Sequence, residues 1–358
     1  MIKKNNMKKI LVTGGAGFVG TNLVEFLLKK NDVSIVVFDK LDHHSDPKQA
    51  KKITYVKGNI INKTDVINLF KKYGPFEGVY HLAGEMPNKL ADAKLMMQTN
   101  VDGTSNVISA AVNNKSKFFI FASSNVTYGI PVELPVTEET PLKPLEVYGK
   151  SKAEAEKVLE KYKDKINIQM FRCPVITGVG RLGLQAILYE FISENKKVYV
   201  LGGGYNKYQF VDVEDVIQAM TKASTVTGFD VYVIGADEVL TLRALYQRVI
   251  EFAGSKSKIV SLPWGPALIA LSILDKINYS PLGVYQYTMM GRSIYADTTK
   301  IKSKLSWKPK KTNADTFIEN YKWYIKNKGN FVEIGGSEAS PNKSVPKMGI
   351  LKILKKFS

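Results

Sequence analysis

The chain cannot form an internal disulfide, because it holds a single cysteine, Cys173. A lone thiol also builds no cysteine zinc cluster, and it suits a reducing compartment. Histidine is nearly as scarce: His43, His44 and His81 show no metal-ligand spacing, so no metal centre is expected. Arginine is scarce too, with only five among the 51 basic residues and lysine making up the other 46. Readout of base edges leans on arginine, so the net charge of +18 reads as lysine-rich composition rather than nucleic-acid binding. Attraction to anionic substrates or lipids stays open. No run of about eighteen apolar residues occurs, and the opening MIKKNNMKK passes into a β-like run without a signal core. A cytoplasmic protein without a membrane span is the expectation.

Apolar residues at 44% and charged residues at 23% are near globular averages, which points to a folded body rather than a disordered or fibrous chain. From residue 8 to about 172 the runs KKILVT, VSIVVFD, ITYV, GVYHLA, KFFIFASS and INIQMFR alternate with helical stretches such as TNLVEFLLKK and TDVINLFKKY. That rhythm predicts an α/β fold, a Rossmann-type doubly wound parallel sheet with helices on both faces. After Pro174 the rhythm breaks into the glycine-rich GVGRLG and LGGGYNK, then resumes in FVDVEDVIQAM, DVYVIGA and TLRALYQRVIEFAG. The expected organisation is a dinucleotide-binding body over 1–178 and a smaller, mainly substrate-binding C-terminal lobe over 179–328, some of which returns to the sheet. A linker and basic tail would occupy 329–358.

The first run ends in glycines: ILVTGGAGFVG spans Ile10 to Gly20. A turn there lies at the carboxyl end of the first strand, where backbone amides and a helix N-terminus face a bound anion. Gly14, Gly15 and Gly17 would let a pyrophosphate touch main chain beside Phe18 and Val19, and Gly20 would let the helix pack closely on the sheet. A tight strand-to-helix turn needs glycine with or without a ligand, so the second strand has to supply context. VSIVVFD ends in Asp39, where a carboxylate can accept both hydroxyls of an adenine ribose and repel a 2′-phosphate. This favours NAD over NADP, although neighbouring Lys40 offers a charge for a phosphate.

TGGAGFVG resembles the TGxxGxxG loop of the extended short-chain dehydrogenase/reductases, the family of nucleotide-sugar epimerases, dehydratases and reductases. The likeness recurs in order through residue 309. Asn59 and Ile60 of GNI stand where the family usually has an aspartate at the adenine. Leu82, Ala83 and Gly84 of HLAG resemble a segment that lines the cofactor. Asn100 opens NVDGT, similar to the family's NVxGT helix, and Pro174 completes the implied cofactor set. FVDVEDV and KLSWKP resemble the later signatures.

Tyr148 and Lys152 form YGKSK, and on a helix residues four apart share a face. With 18 tyrosines and 46 lysines, about two such pairs arise by chance, and Tyr324 with Lys328 is a second. Tyr324 lies in a late amphipathic helix and reads as structural. Tyr148 follows the fifth strand, where the resemblance places the catalytic helix, and it makes Ser124 the catalytic serine with Ser123 a backbone-bonding neighbour in the cofactor set. Free tyrosine titrates at about pH 10, so a base near neutrality needs positive charge, here from Lys152 and oxidised nicotinamide. Tyr148 would remove a hydroxyl proton as hydride leaves the same carbon, Ser124 would hold the oxygen, and Lys152 would also bond the nicotinamide ribose.

The substrate is less constrained. A 4,6-dehydratase of the family would carry an Asp-Glu pair after the serine, and here Asn125 and Val126 stand there, which disfavours dehydration. The leading expectation is an NAD-dependent nucleotide-sugar epimerase, similar to UDP-hexose 4-epimerases and passing through a 4-keto intermediate. Ser124, Asn125, Lys207 and Arg292 are its expected substrate contacts, Arg292 as a diphosphate ligand. WGPALIALSILDKI at 264–277 is unusually apolar, either a core helix or a segment like that of the 3β-hydroxysteroid dehydrogenase branch. That branch, an NAD(P)-dependent alcohol dehydrogenase or ketoreductase, is one alternative, and a non-catalytic dinucleotide-binding scaffold is another. KMGILKILKKFS at the C-terminus reads either as a basic amphipathic helix making weak, peripheral contact with an anionic membrane or as a frayed lysine tail. The resemblance implies a homodimer formed through two helices, one carrying Tyr148.

Overall fold

A computed structural model describes residues 7–41, 52–86, 92–276, 284–289, 291–328, 332–334 and 344–346. Six strands form the first part of the chain: Lys8–Thr13 (β1), Val33–Asp39 (β2), Ile53–Lys57 (β3), Gly78–His81 (β4), Phe118–Ser124 (β5) and Asn167–Cys173 (β6). Between them run Phe18–Leu28 (α1), Lys63–Tyr73 (α2), Ala93–Met97 (α3), Gly103–Asn113 (α4) and Val147–Glu160 (α5). The six strands and one later strand, Phe229–Val233 (β10), build a seven-stranded sheet in the order β10-β6-β5-β4-β1-β2-β3. Every pairing in it is parallel. The Rossmann-type doubly wound fold expected from the alternating runs is therefore present.

The strands read as unbroken apolar runs because both faces are covered. Ile10 and Val12 pack into one layer with Val37 of β2 and Leu23 of α1. Leu11, between them, packs into the opposite layer with Phe38 and with Val66 of α2, Val107 of α4 and Ala155 of α5. The period of two along a strand sends neighbours to opposite faces, so each strand feeds both cores. The order reverses at β1, whose partners are β2 and β4, and in an open α/β sheet ligands bind at the carboxyl ends beside such a reversal.

Beyond β6 come Val175–Thr177 (β7), Gln185–Ser193 (α6), Val198–Leu201 (β8), Phe210–Asp212 (β9) and Val213–Ala223 (α7). After β10 follow Leu242–Phe252 (α8), Ile259–Leu262 (β11), Trp264–Lys276 (α9), Val284–Met289 (α10), Thr299–Leu305 (α11) and Asn313–Asn327 (α12). A separate core forms where α6, α8 and α12 meet around Tyr189, Leu245 and Phe317. Tyr324 belongs to that core at 4% exposure, so the second Tyr-Lys pair is packing, and Lys328 donates to Ser193. The late signatures pack on each other: the Trp307 indole donates to the Asp215 carbonyl, and the Lys310 and Lys311 amides donate to its carboxylate.

The apolar segment at 264–277 is no core helix over its described side chains: Ile269 and Ile273 of α9 are 63% and 56% exposed. Within the expected linker, Val332–Ile334 (β12) and Ser344–Pro346 (β13) pair in parallel. The C-terminal KMGILKILKKFS, His43 and His44 lie outside the described residues. Among the described residues no helix is long and apolar enough to cross a membrane.

Candidate active site

The glycine turn sits between β1 and α1 and serves the chain's own packing first. Gly14 takes φ +70°, and a Cβ there would lie 2.5 Å from the Ala83 amide nitrogen. A Cβ on Gly15 would strike Val37, and one on Gly20 would strike the Gly14 carbonyl. Gly17 differs: it caps α1 and has no side chain to bond the first turn, so those amides face outward for an anion. The Phe18 side chain is buried and Val19 packs on the core, leaving their main chain for any ligand.

Asp39 ends β2 beside this turn. Its carboxylate accepts from Ala16 N and Leu41 N, both at 3.0 Å, which fixes it at the sheet edge with lone pairs left over. Lys40, the residue that offers charge to a 2′-phosphate, is paired with Glu85 at 2.8 Å. Asn59 is exposed and its oxygen accepts from Ile61 N, while Ile60 is buried against Gly103. An uncapped helix start and a ribose-height carboxylate fit a dinucleotide.

HLAG and NVDGT meet beneath Lys152. A Cβ on Gly84 would lie 3.0 Å from Asn100 Oδ1 and 3.3 Å from Lys152 Nζ. Asn100 donates to the Ser151 hydroxyl and the Glu85 carbonyl, and accepts from the Glu85 amide, at 2.8, 3.1 and 2.8 Å. It lies in a π-helical turn, Gln98–Asp102, a local widening that often marks functional positions. Leu82 and Ala83 are half-buried on the way into this cluster. His81 is fully buried between the Thr13 and Thr104 hydroxyls, and burial with the Lys152 charge pushes its pKa down to about 3. It is a neutral structural ring.

Tyr148, Lys152 and Glu156 line one face of α5 at successive steps of four. Tyr148 is 8% exposed, and burial raises its phenol above the usual range. The Arg181 charge and the Ser124 hydroxyl lower it, and Cys173 and Glu146 raise it. A Cβ on Gly149, the next residue, would lie 2.8 Å from the Val126 carbonyl, so the start of α5 is seated on the loop that Ser124 opens. Lys152, 5% exposed, donates to the Ala122 carbonyl at 2.9 Å and sits 4.8 Å over the Phe121 ring. Burial brings its pKa down to about 8, with Cys173 and Glu156 holding it up.

Ser123 departs from expectation. Its hydroxyl is directed not to backbone but to Glu156 at 2.5 Å, on the side of β5 where Arg172 completes the pair. Asn125 and Pro174 line a small cavity with Tyr128, Arg172, Gln209 and Tyr295. Arg292 and Lys207 are both exposed, on segments joined by hydrogen bonds from Ile294 N to the Lys207 carbonyl and from Lys207 N to Ser293. Ile294 and Tyr208 of those segments pack with Val126 of the serine loop, but no contact ties either cation to Tyr148.

Two groups escaped the sequence reading. Arg181, in GVGRLG, lies 5.3 Å over the Phe18 ring and influences Tyr148. Glu146 occupies the N-cap of α5 yet makes no cap hydrogen bond, and burial raises its carboxyl pKa. Glutamate at a cap position normally taken by Ser, Thr, Asp or Asn was the available signal.

The sequence model of the NAD dependent epimerase/dehydratase family matches residues 10–235, which hold the glycine turn, Asp39, Ser124, Tyr148 and Lys152. The chain belongs to this family. It is therefore an enzyme of an NAD-dependent family, as the turn and β2 suggested. A Sinorhizobium fredii protein named uncharacterized protein y4nG is 34% identical over 352 residues, covering 97% of this chain and 86% of that one. The UDP-glucose 4-epimerase of Lactobacillus helveticus is 27% identical over 88% of this chain and 97% of its own length. Among solved structures, the UDP-glucose 4-epimerase of Thermotoga maritima with UDP-glucose superposes with a TM-score of 0.73 at 24% identity, covering 89% of this chain and 99% of that one. Relatives in the family thus include nucleotide-sugar enzymes, and the structural likeness shows the shared fold.

Proposed function

We propose that this enzyme is an NAD-dependent nucleotide-sugar 4-epimerase acting on a UDP-hexose. The observation that carries the reading is the seating of α5 on the end of β5, where Lys152 donates to the Ala122 carbonyl and a Cβ on Gly149 would lie 2.8 Å from the Val126 carbonyl, which sets Tyr148 and Lys152 beside the Ser124 loop, while Asn125 and Val126 stand where a dehydratase would need its acid pair. NAD, when bound, supplies a hydride acceptor that can also return the hydride. The Gly14–Gly17 turn and α1 would hold its diphosphate, and Asp39 its adenosine ribose.

The protein's share is proton handling and orientation. Tyr148 takes the proton from the reacting hydroxyl and gives it back, and Ser124 holds the oxygen while the 4-keto intermediate exists. Burial opposes the phenolate, so cationic charge has to offset that burial, and Lys152 is held cationic in part by Glu156. The 2.9 Å bond from Lys152 to the Ala122 carbonyl fixes the ammonium beside Gly84, where it can meet a ribose hydroxyl. Lys207 and Arg292, exposed on their joined segments, would serve the substrate diphosphate.

The test is incubation of the purified protein with UDP-glucose, following appearance of UDP-galactose by NMR. Formation of the C4 epimer supports the reading. No sugar conversion, together with cofactor reduction by a sterol, would replace it with the hydroxysteroid-dehydrogenase reading.

A further inference from the structure

The Tyr285 hydroxyl is buried without a partner. The residue is 6% exposed, and among the described residues its phenol oxygen, shut off from solvent, makes no hydrogen bond. Two other buried phenols are satisfied: Tyr128 donates to the Thr137 carbonyl at 2.8 Å and Tyr189 to Gln185 at 2.9 Å. A hydroxyl taken out of water for no hydrogen bond costs stability, so its presence asks for a reason outside the ligand-free fold.

Its surroundings give one. Tyr285 lies on α10 and packs with Met289 and Ile294 against Val126 and Tyr208. Val126 stands two residues past Ser124, and Tyr208 and Ile294 belong to the segments that carry Lys207 and Arg292. The ring is therefore wedged between the serine loop and the segments expected to meet the substrate. Glu146 approaches the same loop from α5, whose Gly149 is seated on the Val126 carbonyl. It is half-buried, and among the described residues its carboxylate takes no hydrogen bond and no ion pair. Burial above all raises the Tyr285 pKa, with Tyr208 and Glu146 adding to it, and beside burial Glu146 also raises Tyr148. The carboxylate thus lies within electrostatic reach of both phenols. A phenol that can donate and a carboxylate that accepts, both unsatisfied at the serine loop, match a ring bearing several hydroxyls.

We propose that Tyr285 and Glu146 bind the sugar of the substrate, the phenol donating to one sugar oxygen and the carboxylate accepting from a sugar hydroxyl. They select a fully hydroxylated hexose over a deoxy sugar, because an analogue lacking the bonded hydroxyl leaves a buried polar group unpaired. The inference rests on the nucleotide-sugar reading and adds to it the groups that recognise the sugar.

Calorimetric titration of the full chain in NAD, with UDP-glucose and separately with UDP, tests it beside thermal melting without substrate. Tyr285→Phe deletes only the hydroxyl. It should weaken UDP-glucose by roughly 10-fold, leave UDP unchanged and melt no lower than the parent, since the deleted group was unsatisfied. Glu146→Ala, which removes no cap bond, should weaken UDP-glucose by a similar factor with UDP unchanged. Among UDP-glucose analogues each lacking one sugar hydroxyl, one should bind the parent roughly 10-fold more weakly, yet bind Tyr285→Phe as UDP-glucose does, because that bond is already gone. Parent-like UDP-glucose affinity in Tyr285→Phe overturns the proposal. So does a fall in melting temperature or a matching loss for UDP, either of which would make the phenol a structural support. A parent that does not bind UDP-glucose overturns it as well, whereas the expected binding losses without inversion at C4 would end the epimerase reading alone.

Discussion

Glu156 on α5 and Arg172 on β6 form a buried, doubly bonded ion pair, with Nε 3.1 Å from Oε1 and Nη2 2.8 Å from Oε2. The side chains are 6% and 8% exposed. Arg172 also donates to the Tyr128 hydroxyl and the Glu138 carbonyl, and Glu156 accepts from Ser123. The pair therefore ties α5 to the serine loop and to the strand beside it. Removing one partner of such a pair leaves the other charge buried and uncompensated. Glu156→Gln should lower stability by about 3 kcal/mol in urea unfolding, and it should draw the Lys152 pKa further down because Glu156 holds it up. Unfolding indistinguishable from the parent would mean the pair is not a fastening.

Tyr148→Phe keeps the ring's packing and deletes only the hydroxyl. It should bind NAD as the parent does and lose turnover by about a thousandfold, within the range for removal of a general base. Calorimetry with NAD beside steady-state kinetics on UDP-glucose reads both. Parent-like turnover would take Tyr148 out of the mechanism.

With the role proposed for it, Lys152 should set the alkaline side of the pH profile. Burial brings its pKa from 10.5 to about 8, and the role assigned to it needs the charged form. Activity should therefore fall as pH rises through about 8, where an ordinary lysine would hold its proton to about 10. A profile flat to pH 10 would show that Lys152 stays charged or is not required.

His81 makes stability sensitive to acid. Its pKa falls from 6.5 in the unfolded chain to about 3 in the fold, so between those values the unfolded state binds the extra proton. The stabilisation is complete above pH 6.5, is lost progressively as pH falls toward 3, and does not change further below that. Melting temperatures from pH 7 to pH 4 should drop less for His81→Asn than for the parent. Equal slopes would place the acid sensitivity elsewhere.

The parallel sheet was readable because both its faces are buried, which turns β1, β2 and β5 into unbroken apolar runs. Tyr148 and Lys152 were readable because a step of four on a helix survives in the sequence as a spacing. Arg181 was not, since an arginine in a glycine-rich stretch has no period to betray it, and only the seating of Gly178 on Phe18 brings it to α1. Glu156 stood in view on the Tyr148 face, yet a carboxylate eight residues on reads as solvated surface until β6 supplies Arg172. The α9 segment misled in the other direction: apolar composition predicts burial, whereas Ile269 and Ile273 face outward.

The central claim is that one carbon is oxidised and then reduced on its other face within a single binding event. UDP-glucose carrying deuterium at C4 tests this most directly. The account predicts UDP-galactose that retains the label at C4, with no reduced cofactor accumulating in solution. Loss of the label from the product, or its transfer to released cofactor without inversion at C4, would contradict it.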